Sequence, residues 1–254
     1  PLFIYMGFMI SESGIANDLY KMFHVLFGGL KGGLAIGTMF MMVAISAMNG
    51  LSVAGMAIGA TIALPEMLKR NYDKRMITGV VQAGSSLGIL IPPSVVMVLY
   101  GMIARQPVSK LWMAGILPGL LMASLFLIYI YVRCKLQPEL GPPLKKEERN
   151  INTFEKIRLL KAGIIPFLIF FFMTGLFLMG IASLVECSAV GAFLATLAAI
   201  YKRRFNKIVL ENTLKKTLGV SCMFMWIILA ALTFGAVFDG LGAGRAIETL
   251  FIER

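Results

Sequence analysis

Gly84-Ser85-Ser86-Leu87-Gly88-Ile89-Leu90-Ile91-Pro92-Pro93-Ser94 is the stretch whose reading decides the fold. It lies inside residues 76–104, a run without a charged side chain that exceeds the ~20 residues, at ~1.5 Å rise each, which a helix needs to cross a bilayer. Proline removes a backbone donor and its ring clashes with the preceding turn, so no helix runs unbroken through Pro92-Pro93. Two half-helices with an unwound middle are expected.

Unpaired backbone groups cost several kcal/mol in hydrocarbon, so an unwound segment at membrane depth survives only against protein or a wet cavity. Such a break points to a binding site. A Pro-kinked packing helix is the plainer alternative. The Gly84-Ser85-Ser86 run argues against it, because small polar residues add nothing to a kink but bring oxygens to an ion or solute.

The surrounding composition agrees. At 58% hydrophobic and 15% charged over 254 residues, the chain is far poorer in charge than soluble domains, where about 25% is usual. An all-α, polytopic membrane protein is expected. The net charge of +11 does not indicate nucleic acid, because it is confined to loops: four Lys and Arg fall in residues 69–75, eight in 133–161 and six in 202–216. Cytoplasmic loops of membrane proteins carry this excess. Cys134, Cys187, Cys222 and the single His24 are too scattered for a disulfide framework or metal set. Neither a cofactor nor an enzyme is expected.

Residues 1–32 read as the end of a membrane segment followed by an interfacial helix, with Ile15, Leu19, Met22, Phe23 and Leu26 on one face and Asn17, Asp18, Lys21 and His24 on the other. The chain opens inside an apolar segment without a signal-peptide pattern, which reads as an internal piece of something longer. Residues 33–66 form two arms meeting at Asn49-Gly50, each reaching about 25 Å, a little under the ~30 Å hydrocarbon core. The charge pattern accommodates a re-entrant hairpin or two full crossings. The small polar tip of Ser46, Asn49, Gly50 and Ser52, with no charged loop, favours the hairpin.

Residues 67–104 hold a basic loop, in which Asn71 can cap the next helix, and then the broken span. Residues 105–134 give an uninterrupted span, residues 135–161 a cytoplasmic connector with a possible short helix from Thr153, and residues 162–201 two more spans. Between these two, Ser183-Leu184-Val185-Glu186 has the form of a capping box. A membrane-embedded acid is otherwise a candidate for proton or solute binding. Residues 202–254 comprise an amphipathic segment, a span and a closing segment. Counted from the basic loops, 20 of the 24 Lys and Arg share one side. Sliding the end of the chain onto its beginning pairs Gly7 with Gly235, Gly14 with Gly242, Leu19 with Ile247 and Phe23 with Phe251. Such a match suits a second repeat of opposite topology.

Two helix N-termini, near Leu51 and at Ser94, are expected to converge near the midplane with free N–H groups. Each carries roughly half a positive charge, which suits an anionic head group such as a carboxylate. The opposing C-termini, near Met48 and Gly84-Ser85, present carbonyls that suit Na⁺, helped by the hydroxyls of Ser52, Ser85 and Ser86.

PLFIYMGFMISESGIA, GGLAIGTMF, the MNGLSVAGMAIGATIALPEMLKRNYDKR hairpin and AGSSLGILIPPSVVMVLYG resemble the large membrane subunit of the tripartite ATP-independent periplasmic (TRAP) transporters, the DctM-like family. The resemblance implies an elevator-type fold like that of the ion-transporter superfamily, with a re-entrant hairpin and a broken helix in the first inverted repeat. It also implies a Na⁺-coupled secondary transporter of the bacterial inner membrane. Such a transporter takes a small carboxylate solute from a periplasmic solute-binding protein and works with a small four-helix membrane subunit, in contact with membrane lipid. Carried over by motif, the substrate site falls on Asn49, Gly50, Ser52, Pro92, Pro93 and Ser94. The Na⁺ site falls on Ser52, Gly84, Ser85, Ser86 and Gly88, partly through backbone carbonyls.

There are departures from the family pattern. The tip usually reads like SGSS, and Leu51 replaces one hydroxyl; the segment usually like TPTE is Ser183-Leu184-Val185-Glu186. The family's second hairpin and second broken helix would follow Arg254, so this chain alone is not expected to transport. The alternatives are a dicarboxylate- or citrate-type permease that needs no binding protein, and a non-transporting membrane scaffold. An intramembrane enzyme is the least favoured, since the spans hold no nucleophile–base pair.

Overall fold

The computed structural model describes residues 1–50, 52–143, 153–244 and 249, with the side chains of 49, 54, 153–159, 161 and 162 outside that description. All regular structure among the described residues is helical. The fold class is that expected of a polytopic helical membrane protein. Helices α7 (Val108–Leu136), α9 (Leu184–Tyr201) and α10 (Lys207–Gly240) are long and apolar enough to cross a membrane.

The chain opens with α1 (Leu2–Glu12) and α2 (Ile15–Phe27). In α2 the residues Ile15, Leu19, Met22 and Phe23 are buried and Asn17 and Lys21 exposed, as the periodicity predicts, but Leu26 is 52% exposed. His24, expected on the solvated face, is half-buried, with its ring 5.9 Å from that of Tyr20. The α1–α2 corner is tied by charge to the α9–α10 corner. Asp18 pairs with Lys202 at 2.6 Å and Arg204 at 3.0 Å, and Arg204 also donates to the Gly14 carbonyl at 2.9 Å.

Helices α3 (Gly33–Asn49) and α4 (Ser52–Lys69) pack against each other as a hairpin turning at Gly50. The next segment is broken: α5 (Lys74–Ser86), a 3₁₀ turn (Leu87–Ile89), an extended link and α6 (Val95–Ile103). Asp73, not Asn71, caps α5, accepting from the N–H groups of Arg75 and Met76 at 3.0 and 3.1 Å, while Asn71 takes a left-handed turn with φ +56°. The base of the hairpin is held at the basic end of the bundle. There the Tyr72 hydroxyl accepts from Leu34 N–H, and Gly141 O accepts from Gly32 N–H.

Three elements run past their expected bounds. Helix α7 has 29 residues and accommodates Pro118 within it, α8 (Thr153–Leu178) continues without a break into the span, and α10 joins the expected amphipathic segment to its span in 34 residues. One core packs α2 to α5 against the inner face of α7, and a second packs α1 against Trp112, α8 and α9. Both Gly14 and Gly242, the residues paired by the internal sequence match, follow a helix in the left-handed conformation at φ +70°. Ile247 and Phe251 of that match lie outside the described residues.

Candidate functional site

The hairpin tip and the break of α5–α6 meet through their backbones. Gly50 adopts φ +64°, a conformation glycine takes without penalty. Its N–H donates to the Ser46 carbonyl at 2.9 Å, and its carbonyl accepts from Val95 N–H, at the start of α6, at 3.1 Å. A Cβ at Gly50 would lie 2.5 Å from the Pro93 carbonyl oxygen, so the tip docks only if this residue has no side chain. The starts of α4 and α6 are thereby brought side by side.

Beneath the tip, Ser46 is fully buried and its hydroxyl donates to the Gly84 carbonyl at 3.3 Å. Small residues surround it. A Cβ would stand 2.6 Å from Ser46 Oγ at Gly55, 2.9 Å from Ser46 Cβ at Gly88, and 2.4 Å from Met42 Cβ at Gly84. Gly84 and Gly88, read from the sequence as carbonyl ligands, thus also let α5 and the 3₁₀ turn approach α3 at backbone distance.

The hydroxyls of Ser85 and Ser86 donate to carbonyls of their own helix, Gln82 at 2.9 Å and Ala83 at 2.8 Å. Their oxygens keep lone pairs for a further donor or a cation. In the link that follows, none of the carbonyls of residues 89–93 accepts a hydrogen bond from any described residue. Carbonyls without a donor are what a cation or a bound solute can use. Residues 46–56 and 83–98 hold no ionisable side chain, so the field here comes from helix ends and peptide dipoles.

The expected residues are not all placed alike. Ser94 and the proline pair are buried, and the Ser94 hydroxyl caps α6 by accepting from Met97 N–H at 3.3 Å. With Val95 N–H given to Gly50, two of the N–H groups expected to face an anion are used within the chain. Ser52, half-buried, opens α4. Asn49 closes α3, its side chain outside the described residues, as is all of Leu51.

Ser46 and Trp112 complete the arrangement. The indole N–H of Trp112 donates to the Ser94 carbonyl at 3.3 Å, and its ring stands 4.7 Å from Phe177 and 6.1 Å from Phe3. It fixes the break from the side of α7. The sequence signal was available, because a tryptophan inside a span needs a partner for its N–H. Glu186 forms the capping box with Ser183: its carboxylate accepts from Ser183 N–H at 2.7 Å, while Ser183 Oγ accepts from Glu186 N–H at 3.3 Å. Among the described residues, no three of His, Cys, Asp and Glu gather as metal ligands.

The broken helix with the docked hairpin tip is the arrangement that the family likeness implies. The profile described as "Tripartite ATP-independent periplasmic transporter, DctM component" matches residues 1–253. The chain belongs to this family. It is 27% identical over 93% of its length to the C4-dicarboxylate TRAP transporter large permease protein DctM of Pseudomonas aeruginosa, covering 54% of that protein. It is 28% identical over 98% of its length to the ectoine TRAP transporter large permease protein TeaC of Halomonas elongata, covering 60%. To the sialic acid TRAP transporter permease protein SiaT of Haemophilus influenzae it is 27% identical over 88% of its length, covering 34%. The chain therefore spans at most about 60% of these relatives. They are named as permeases, not as enzymes, and with the apolar helices they mark this DctM-family chain as a multi-pass membrane protein.

Proposed function

We propose that this chain forms the first inverted repeat of a TRAP large permease subunit in the bacterial inner membrane. The permease imports a small organic anion together with Na⁺ by an elevator-type movement. A periplasmic solute-binding protein delivers the anion, and a small four-helix membrane subunit completes the complex. The relatives' names range over C4-dicarboxylates, ectoine, sialic acid and isethionate, so the reading is kept at a small organic anion, a carboxylate being the commonest form.

One observation supports it: the hairpin tip docks through Gly50 against Pro93 and Val95 of a helix break whose carbonyls 89–93 accept no hydrogen bond from a described residue, with no ionisable side chain in either segment. Hydroxyl and carbonyl oxygens of Ser46, Ser52, Gly84, Ser85, Ser86 and Gly88 form the oxygen-rich side, which suits Na⁺. The start of α4 supplies the positive helix end for the anion. The test is uptake by the full-length protein with its partners, with and without a Na⁺ gradient, in wild type, Ser52→Ala and Ser86→Ala. Both variants should need severalfold more Na⁺ for half-maximal uptake. Na⁺ dependence identical to wild type in both would remove these hydroxyls from the site.

A further inference from the structure

A second cavity lies away from the hairpin tip. It is a cleft of about 780 Å³ between the first turns of α5 and the last turns of α7, at the basic end of the bundle. Met76 and Val80 line it from α5, and Phe126, Tyr129 and Ile130 from α7. Two guanidinium groups, Arg75 and Arg133, stand at its mouth. Neither forms an ion pair with a described residue. Asp73 also lines the cleft, but its carboxylate is committed to capping α5. From the arginines the groove descends past Ala83 and Leu125, eight residues along each helix, which is ~12 Å.

We propose that this cleft binds one anionic glycerophospholipid of the cytoplasmic leaflet, its phosphate held between Arg75 and Arg133 and an acyl chain laid along α5 and α7. Three features converge on that occupant. The apolar wall is continuous with the exposed band of α7 at Leu117, Leu121, Leu125 and Ile128, so the groove opens onto the surface that faces hydrocarbon. Two arginines lining one cleft complement a phosphate, and Arg is suited to bidentate phosphate contacts. The start of α5 and the end of α7 that carry them lie on the side that the positive-inside pattern assigns to the cytoplasm, where anionic lipids are enriched and basic pockets between spanning helices take such head groups. The proposal rests on the membrane assignment and not on the transport reading.

Gly79 supplies a clean test. It lies on the cleft wall, and a Cβ there would meet nothing within 4 Å. The side chain of Gly79→Leu therefore starts in open space on the cleft wall and takes up room in the groove. The delipidated full-length protein would be titrated with phosphatidylglycerol, phosphatidylcholine or inorganic phosphate, with binding read by native mass spectrometry and by thermal shift. Wild type should bind phosphatidylglycerol in preference to phosphatidylcholine and show no shift with inorganic phosphate. Gly79→Leu should keep its lipid-free melting temperature and lose the phosphatidylglycerol adduct. Arg75→Gln with Arg133→Gln should weaken phosphatidylglycerol binding about tenfold or more and erase the preference over phosphatidylcholine. Wild-type lipid binding in either variant would overturn the proposal. So would a fall in the lipid-free stability of Gly79→Leu, or its failure to co-purify with a membrane subunit, because either result would mean that protein fills the groove.

Discussion

Gly50 carries two steric conditions at once at the meeting of hairpin and break. Its left-handed φ of +64° costs any L-residue about 1–2 kcal/mol, and a methyl group at 2.5 Å from the Pro93 carbonyl must push that carbonyl away. Gly50→Ala should therefore lower the thermal stability of the purified protein by more than the conformational cost alone. It should also reduce uptake, because the displaced carbonyl belongs to the run proposed to hold ligand. An unchanged melting temperature would mean that the tip is not docked at the break. At this scale the sequence is partly legible. Gly50, Gly84 and the serines announce a backbone-built site through residue type, since small polar residues inside a span have few other uses. Whether a serine turns its oxygen to a ligand or to its own helix end is a matter of tertiary geometry. Ser94, buried as a cap, and Asp73, capping in place of Asn71, show that local spacing leaves this open.

At the scale of the element, the capping box before α9 decides between two roles for Glu186. Its carboxylate is spent on Ser183, at the start of the helix where negative charge is favoured. Glutamine serves equally at that position of the box, so Glu186→Gln should leave uptake and its pH dependence as in wild type. Ser183→Ala, which removes the cap itself, should lower the melting temperature by a few degrees. A Glu186→Gln variant that loses uptake or shifts its pH profile would return this residue to the transport machinery. The existence of the α-helices among the described residues was legible from charge-free runs and periodicity, whereas the 3₁₀ turn at Pro138–Leu140 was read as connector. The helix ends were not legible. Absence of charge marks the part of a helix embedded in hydrocarbon, whereas α7, α8 and α10 continue into their flanking Lys, Arg and Glu.

For the whole molecule, the open question in the sequence is whether residues 33–66 turn back inside the bilayer or cross it twice, since both return the chain to its basic side. The structure supplies a level. Gly50 is hydrogen-bonded to Val95, and α6 continues for nine residues to Ile103 before the exposed turn at Arg105-Gln106-Pro107. The tip thus lies about 13 Å along α6 from that turn, which puts it inside the bilayer if the turn marks the far surface. In a variant lacking Cys134, Cys187 and Cys222, a cysteine placed by Gln106→Cys should react rapidly with a membrane-impermeant maleimide in right-side-out spheroplasts. Lys69→Cys, in the basic loop, should react only after permeabilisation. Val53→Cys, exposed in the first turn of α4, should react far more slowly than the cysteine at 106, and faster or slower as Na⁺ and solute are added, since the tip would then sit in a cavity that opens and closes. Equal reaction at 53 and 106, indifferent to Na⁺, would place the tip in bulk water and make the hairpin two complete crossings. That result would also separate the hairpin from the break, or move the Arg105-Gln106-Pro107 turn well beyond the membrane, since α6 sets Val95 nine residues before it.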